Sequence, residues 1–252
     1  MGAIRALWTL IEEYPANDYL ILAADNLFSL DLKHFVGFYK TVSKTVIALF
    51  DIGRLDIASR YANVTLDSGG RVRKMVEKPR EPYSSLISTG IYAIPRESAK
   101  RIKEYLDEGN SPDAPGYFFS WLLNKEEIYG YIFEGYWFDI GSLDTYLDAF
   151  RKVVVDSYVS KDTIIEEGVK LRDPVVIEKG CRIRGPCEIG PHVYLGKGVE
   201  LEKADIVDSV ILDNTKIVGA EIRESIIGRW CLIEKVSFGK SIIGDCTKLT
   251  GK

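Results

Sequence analysis

The sequence has 252 residues, 46% hydrophobic and 28% charged, with a formal net charge of −4. These values fit an ordinary globular protein of one large or two modest domains, and the interspersed charge excludes a strongly basic nucleic-acid or anionic-membrane binder. No apolar run approaches the ~18 residues of a membrane span, the N-terminus lacks the charged-then-apolar layout of a secretory signal, and the expected compartment is the cytosol.

In chain order, Ile4, Leu7, Trp8, Leu10, Ile11 and Tyr14 mark one face of a helix. Pro15-Ala16-Asn17-Asp18 breaks it. Tyr19 to Ala24 is apolar throughout, as expected of a strand buried on both faces of a parallel sheet. Asp25 follows at its C-terminal end, where open α/β sheets bind ligands. A helix over Leu32–Thr41 and a strand over Thr45–Phe50 come next. Asp67-Ser68-Gly69-Gly70 is a hairpin turn between Ala62–Leu66 and Val72–Glu77, and Ser98–Leu106 and Tyr117–Asn124 pattern as helices. The order predicts an α/β domain with a mostly parallel mixed sheet.

From about residue 160 the period changes. Aliphatic residues recur every six positions at Ile165, Leu171, Ile177, Ile183, Ile189, Leu195, Leu201 and Val207, with a second small or apolar residue four positions after most of them. A six-residue period fits neither a helix nor a hairpin. It fits a β-helix whose hexapeptides form the sides of a triangular coil with the anchors stacked inside. Later, Ser209-Val210-Ile211, Ser225-Ile226-Ile227 and Ser241-Ile242-Ile243 recur sixteen residues apart, as shortened coils would. Cys181, Cys187, Cys231 and Cys246 then read as small interior fillers. None forms a CxxC pair, and His34 and His192 are the only histidines, so the usual zinc ligand sets are not expected.

Three clusters in the first half carry chemistry-bearing side chains: Asp25-Asn26 at a strand end, Glu77-Lys78-Pro79 after a strand, and Trp137-Phe138-Asp139-Ile140-Gly141-Ser142. Singly, each has a plain structural explanation. In this order, with Ser88-Thr89-Gly90-Ile91-Tyr92 between them, they resemble the sugar-phosphate nucleotidyltransferase family, which shows D-N, E-K-P, T-G-I-Y-like and W-x-D-x-G-[ST] segments. Gly109 to Gly116 is similar to the glucose-1-phosphate members, and the repeat half resembles the C-terminal left-handed β-helix that many members carry.

That resemblance implies a partial Rossmann-like nucleotidyltransferase domain over residues 1–152 and a left-handed parallel β-helix over 153–252. It implies transfer of a nucleotidyl group to a hexose 1-phosphate, with glucose 1-phosphate and dTTP or UTP favoured. It gives Asp25 and Asp139 as ligands of Mg2+, Lys78 as the contact to the sugar phosphate, and Glu77, Asn26 and the backbone at Thr89 and Gly90 as substrate contacts. It also implies that Trp137 supports the loop presenting Asp139 and that the β-helix mediates a homo-oligomer. The family's G-x-G-T-R-L-x-P phosphate loop and its second lysine are absent from the sequence, and Ala62 stands where the family usually has glycine. The chain is therefore expected to start inside the catalytic domain. Whether the remainder is encoded upstream, was lost or comes from another chain is left open. Two alternatives accompany the enzyme: a non-catalytic assembly paralogue, and an acyltransferase in the β-helix with His192 as its sole catalytic histidine.

Overall fold

The computed structural model describes residues 2–251 and divides into two compact units, Met1–Trp137 and Phe138–Lys252. The first unit is built from α1 (Ala3–Glu13), β1 (Asp18–Leu22), β2 (Asn26–Phe28), α2 (Leu32–Val42), β3 (Thr45–Asp51), α3 (Leu55–Ala58), β4 (Asn63–Leu66), β5 (Val72–Val76), β6 (Leu86–Pro95), α4 (Arg96–Asp107), α5 (Pro115–Leu122) and β7 (Ile128–Ile132). Its main sheet has the order β5-β4-β6-β3-β7, with β1 also paired to β6. The sheet is mixed, as expected, but β3–β7 is its parallel pair and β1–β6, β3–β6, β4–β5 and β4–β6 are antiparallel.

Strand β3 shows how the layers form. Ile47 and Leu49 point into a core shared with α1, α4 and α5, whereas Val46 and Ala48 point into a second core with Phe35 and Tyr39 of α2 and with Trp137. Alternate side chains of a strand face opposite sides, so one strand with both sets buried specifies helices on both faces. Local chemistry fixes the helix starts. Asp31 accepts from the N–H groups of Lys33 and His34 to cap α2. Helix α1 has no side-chain cap, and its first N–H groups donate to the carbonyls of Pro112 and Asp113.

Among the described residues, the strand expected to be buried on both faces is an edge strand. Its partner β6 runs antiparallel, with Tyr19 opposite Ile94 and Ile21 opposite Tyr92. Tyr19 and Ile21 pack on the core, while Leu20 and Leu22 are each 43% exposed. Ala23 N donates to Gly90 O and Asn17 O accepts from Arg96 N. The odd-numbered residues therefore turn their backbone groups toward β6, and those of Leu20 and Leu22 face the open edge. An uninterrupted apolar run does not distinguish a doubly covered strand from a half-covered one.

The second unit begins with the end of β8 (Trp137–Asp139), followed by α6 (Leu143–Val153), and then forms a parallel β-helix. Its three ladders have six, five and six strands. Early coils pair residues eighteen apart, Val175 with Val193 and Arg182 with Glu200. Later coils pair residues sixteen apart, Val193 with Ser209 and Glu200 with Lys216. One residue is lost at each of two corners. Gly185 to Cys187 is matched in the next coil by Lys203 and Ala204, and Gly190 to His192 by Val207 and Asp208. The third corner keeps its length: Gly196–Val199 stacks under Leu212–Thr215.

This loss corrects two assignments. Val207 is not an interior anchor, because Ile206 pairs with Ile189 and takes the buried place. Cys246 is exposed, whereas Cys181, Cys187 and Cys231 are buried. It belongs to the third-corner column of Gly180, Gly198, Asn214, Trp230 and Cys246, all left-handed with φ between 54° and 76°. The first coil's anchors Ile165 and Leu171 are also partly exposed, at 38% and 37%. Among the described residues, no helix is long and apolar enough to cross a membrane.

Candidate active site

Contacts within the first unit link most of the singled-out residues to one another. Asp25 is exposed just beyond β1, and its Oδ1 accepts from Asn26 Nδ2 at 3.0 Å. Asn26 leans toward Gly90, where an added β-carbon would come within 3.6 Å of its Nδ2 and 3.0 Å of the Ala23 Cβ. Gly90 has φ +79°, a backbone state that side chains resist, and it breaks the regular register between β3 and β6. Thr89 is buried, and its Oγ1 donates to Ala48 O at 2.9 Å. Its carbonyl accepts from the indole Nε1 of Trp137 at 3.3 Å. The Thr89 side chain is thus committed to the sheet and its carbonyl to Trp137.

Trp137 is buried and meets Tyr61 edge to face, with ring centroids 5.1 Å apart. Its approach is pinned by Ser29, whose N–H donates to Tyr136 O and whose hydroxyl accepts from Tyr136 N. Tyr61 in turn accepts at its carbonyl from the N–H of Lys78, 3.2 Å away. Lys78 holds a left-handed φ of 45°, a strained state for a lysine that persists only where neighbours enforce it. Its ammonium is exposed and, among the described residues, has no ion-pair partner. Glu77 points inward and is half-buried, and burial pushes its carboxyl above the ordinary carboxylate range against the opposing pull of Lys78. A β-carbon on Gly116 would fall 1.8 Å from its Oε2.

No local pattern announces the contacts that Tyr61, Ser29 and Gly116 make here. Gly116 lies in the Gly109–Gly116 segment, but its contact to Glu77 crosses thirty-nine positions of sequence.

Asp139 ends β8 and is half-buried; its Oδ1 accepts from Gly141 N at 3.0 Å. Ser142 then caps α6 in a reciprocal box with Thr145. The local turn therefore fixes the Asp139 carboxylate and leaves Oδ2 for another partner. Among the described residues, no three acidic, histidine or cysteine side chains gather at one point. Asp25 and Asp139 are hard oxygen donors without a basic ion-pair partner among the described residues, and the buried Asn26 Oδ1 has no hydrogen-bond partner. That donor chemistry fits magnesium, which takes one or two carboxylates and completes its shell with water and phosphate oxygens.

His192 is accounted for inside the second unit. Its Nδ1 lies 3.1 Å from Asp208 Oδ1, which also accepts from Arg151 Nε at 2.9 Å, so the imidazole is part of a clamp between α6 and the β-helix.

A family model described as "Nucleotidyl transferase" matches residues 1–155, and one described as "GMPPB C-terminal domain" matches residues 171–251. A glucose-1-phosphate adenylyltransferase of Desulfitobacterium hafniense (strain Y51) is 25% identical over 256 residues, covering 92% of this chain and 63% of that protein. One from Fervidobacterium nodosum is 26% identical, covering 86% of this chain and 56% of its own length. The chain thus spans less than two thirds of the length of these relatives. A crystal structure from Bacillus anthracis assigned as a glucose-1-phosphate thymidylyltransferase superposes with TM-score 0.53 over 59% of each chain at 22% identity, a likeness of fold.

Proposed function

The chain belongs to the nucleotidyl transferase family, and from that premise we propose that it serves in making a nucleoside-diphosphate sugar and pyrophosphate from a hexose 1-phosphate and a nucleoside triphosphate. Glucose 1-phosphate is the proposed sugar substrate, in line with the names of the relatives. The nucleotide is one of dTTP, UTP and ATP, the last being the adenylyl donor implied by those names. Residues 1–152 are the proposed catalytic part and 153–252 the proposed assembly part. The observation that carries the proposal is the unbroken chain of contacts from Asp25-Asn26 through Gly90, Thr89, Trp137 and Tyr61 to Lys78 and Glu77.

In this reaction a sugar phosphate oxygen attacks the α-phosphorus and pyrophosphate leaves in line. No covalent enzyme intermediate is needed, so the protein contributes position and charge. Lys78, whose backbone N–H donates to the Tyr61 carbonyl, supplies an uncommitted positive charge for the sugar phosphate. Glu77 accepts hydrogen bonds from sugar hydroxyls, and partial desolvation strengthens them. Asn26 and the backbone at Thr89 and Gly90 border the same surface, with Trp137 fixing the Thr89 carbonyl. Asp25 and Asp139 would hold magnesium, which when bound neutralises phosphate charge. A cytosolic homo-oligomer assembled through the β-helix completes the proposal.

Calorimetric titration of the chain with glucose 1-phosphate tests the sugar side. Saturable binding lost in both Glu77→Gln and Lys78→Ala is the expected result; no binding to the unsubstituted chain ends the proposal. Pyrophosphate release with dTTP, UTP and ATP in turn identifies the nucleotide.

A further inference from the structure

Glu77 and Ala62 lie at the open end of the β4–β5 hairpin, just beyond the Asn63–Val76 pair. Helix α5 packs over this end, and the Ser120 hydroxyl donates to Met75 O at 2.9 Å. The second residue of that helix is Gly116. A β-carbon there would lie 1.8 Å from Glu77 Oε2, 2.9 Å from Glu77 Cδ and 3.1 Å from the Ala62 methyl. The carboxylate is therefore seated directly on the bare α-carbon, with the Ala62 methyl as the adjoining wall.

The backbone gives no other reason for a glycine. Gly116 is helical and not among the residues with positive φ. Alanine is the better helix former at such a position by up to about 1 kcal/mol. The helix start has no side-chain cap, and Pro115 contributes no N–H. A carboxylate at this end is electrostatically favoured.

We propose that Gly116 is a positioning residue whose missing side chain, together with the Ala62 methyl, forms the cradle that aims the Glu77 carboxylate at the hydroxyls of a hexose 1-phosphate. The inference rests on the sugar-binding function given above to Glu77. Its geometric part stands apart from that function and can be tested without it.

In the test, the Glu77 carboxyl of the full chain is titrated by carbon-13 NMR, assigned with Glu77→Gln, before and after Gly116→Ala, and glucose 1-phosphate is titrated into each protein. Gly116→Ala is expected to push the carboxyl into solvent and return its titration toward the ordinary carboxylate range. Sugar phosphate affinity should fall about tenfold or more, as for losing one hydrogen bond to a charged group. Adding Glu77→Asp, one methylene shorter, should restore part of that affinity, a recovery that a merely structural defect would not show. An unchanged Glu77 titration in Gly116→Ala overturns the proposal. Should that variant not fold, Ala62→Gly widens the same cradle without a clash, and an unchanged titration there overturns it equally. Absence of glucose 1-phosphate binding by the parent chain sinks the sugar assignment alone, because the carboxyl titration still decides the cradle.

Discussion

The two units differ in where their information lies. In the β-helix, place in the repeat decides place in the structure, and one residue more or less at a corner moves a side chain from interior to surface, as with Ile206 and Val207. In the α/β unit, the residues bearing chemistry are held by partners scattered over the chain: Thr89 by Trp137, Lys78 by Tyr61 and Glu77 by Gly116. The repeat domain therefore depends on phase along the chain, and the α/β surface on contacts between distant segments.

The largest expected effect breaks function while sparing the fold. In a form of the protein that turns over the proposed reaction, Asp139→Asn should lower kcat by about a hundredfold or more, as for losing a charge that stabilises the transition state. Its thermal midpoint should stay put, since Asp139 makes one local hydrogen bond that asparagine keeps. Unchanged kcat would remove Asp139 from the site. In the β-helix the effect should be on stability. Ile206→Ala should cost about 2–5 kcal/mol in chemical denaturation and Val207→Ala clearly less, because only the first is fully buried; equal costs would refute the corner deletion.

Much of this was readable in advance. The hexapeptide period located the β-helix and its shortened coils, and apolar periodicity located α1, α2, β3 and the β4–β5 hairpin. The period alone could not say which corner loses a residue, so Val207 and Cys246 were misplaced. The long strand β6 stayed hidden within a motif, and the open edge of β1 stayed hidden because its apolar run is as continuous as that of a doubly covered strand. Asp25, Glu77, Lys78 and Asp139 stood out by motif. The contacts of Tyr61 with Trp137 and of Gly116 with Glu77 did not, because a contact between distant segments leaves no local pattern.

Smaller effects sharpen the contrast. Trp137→Phe keeps an aromatic ring but loses part of its volume and the indole N–H, leaving the buried Thr89 O without that partner, for an expected loss of about 1–3 kcal/mol by the same denaturation measurement, with weaker glucose 1-phosphate binding. Glu77 adds a pH dependence. Its folded-state pKa is raised by burial, so the folded protein holds that proton more tightly than the unfolded chain does. The resulting stabilisation is complete below the ordinary carboxylate range and is lost as pH rises through the raised value. Glu77→Gln should flatten that slope in a series of melts from acid to neutral pH, and an identical slope would contradict it. Least of all, Cys246→Ser should change stability by under about 0.5 kcal/mol. In the native protein a maleimide should label Cys246 and spare Cys181, Cys187 and Cys231, which are buried.

The third corner of the β-helix has a consequence for how the domain is laid down. Its four-residue span survives the change of coil length, and Asp213 and Asp245 each bind the N–H of a residue in the coil before, Lys197 and Arg229. The stack can thus lose a residue at each of the other two corners and keep its alignment, because one seam of constant length serves as the ruler for every turn.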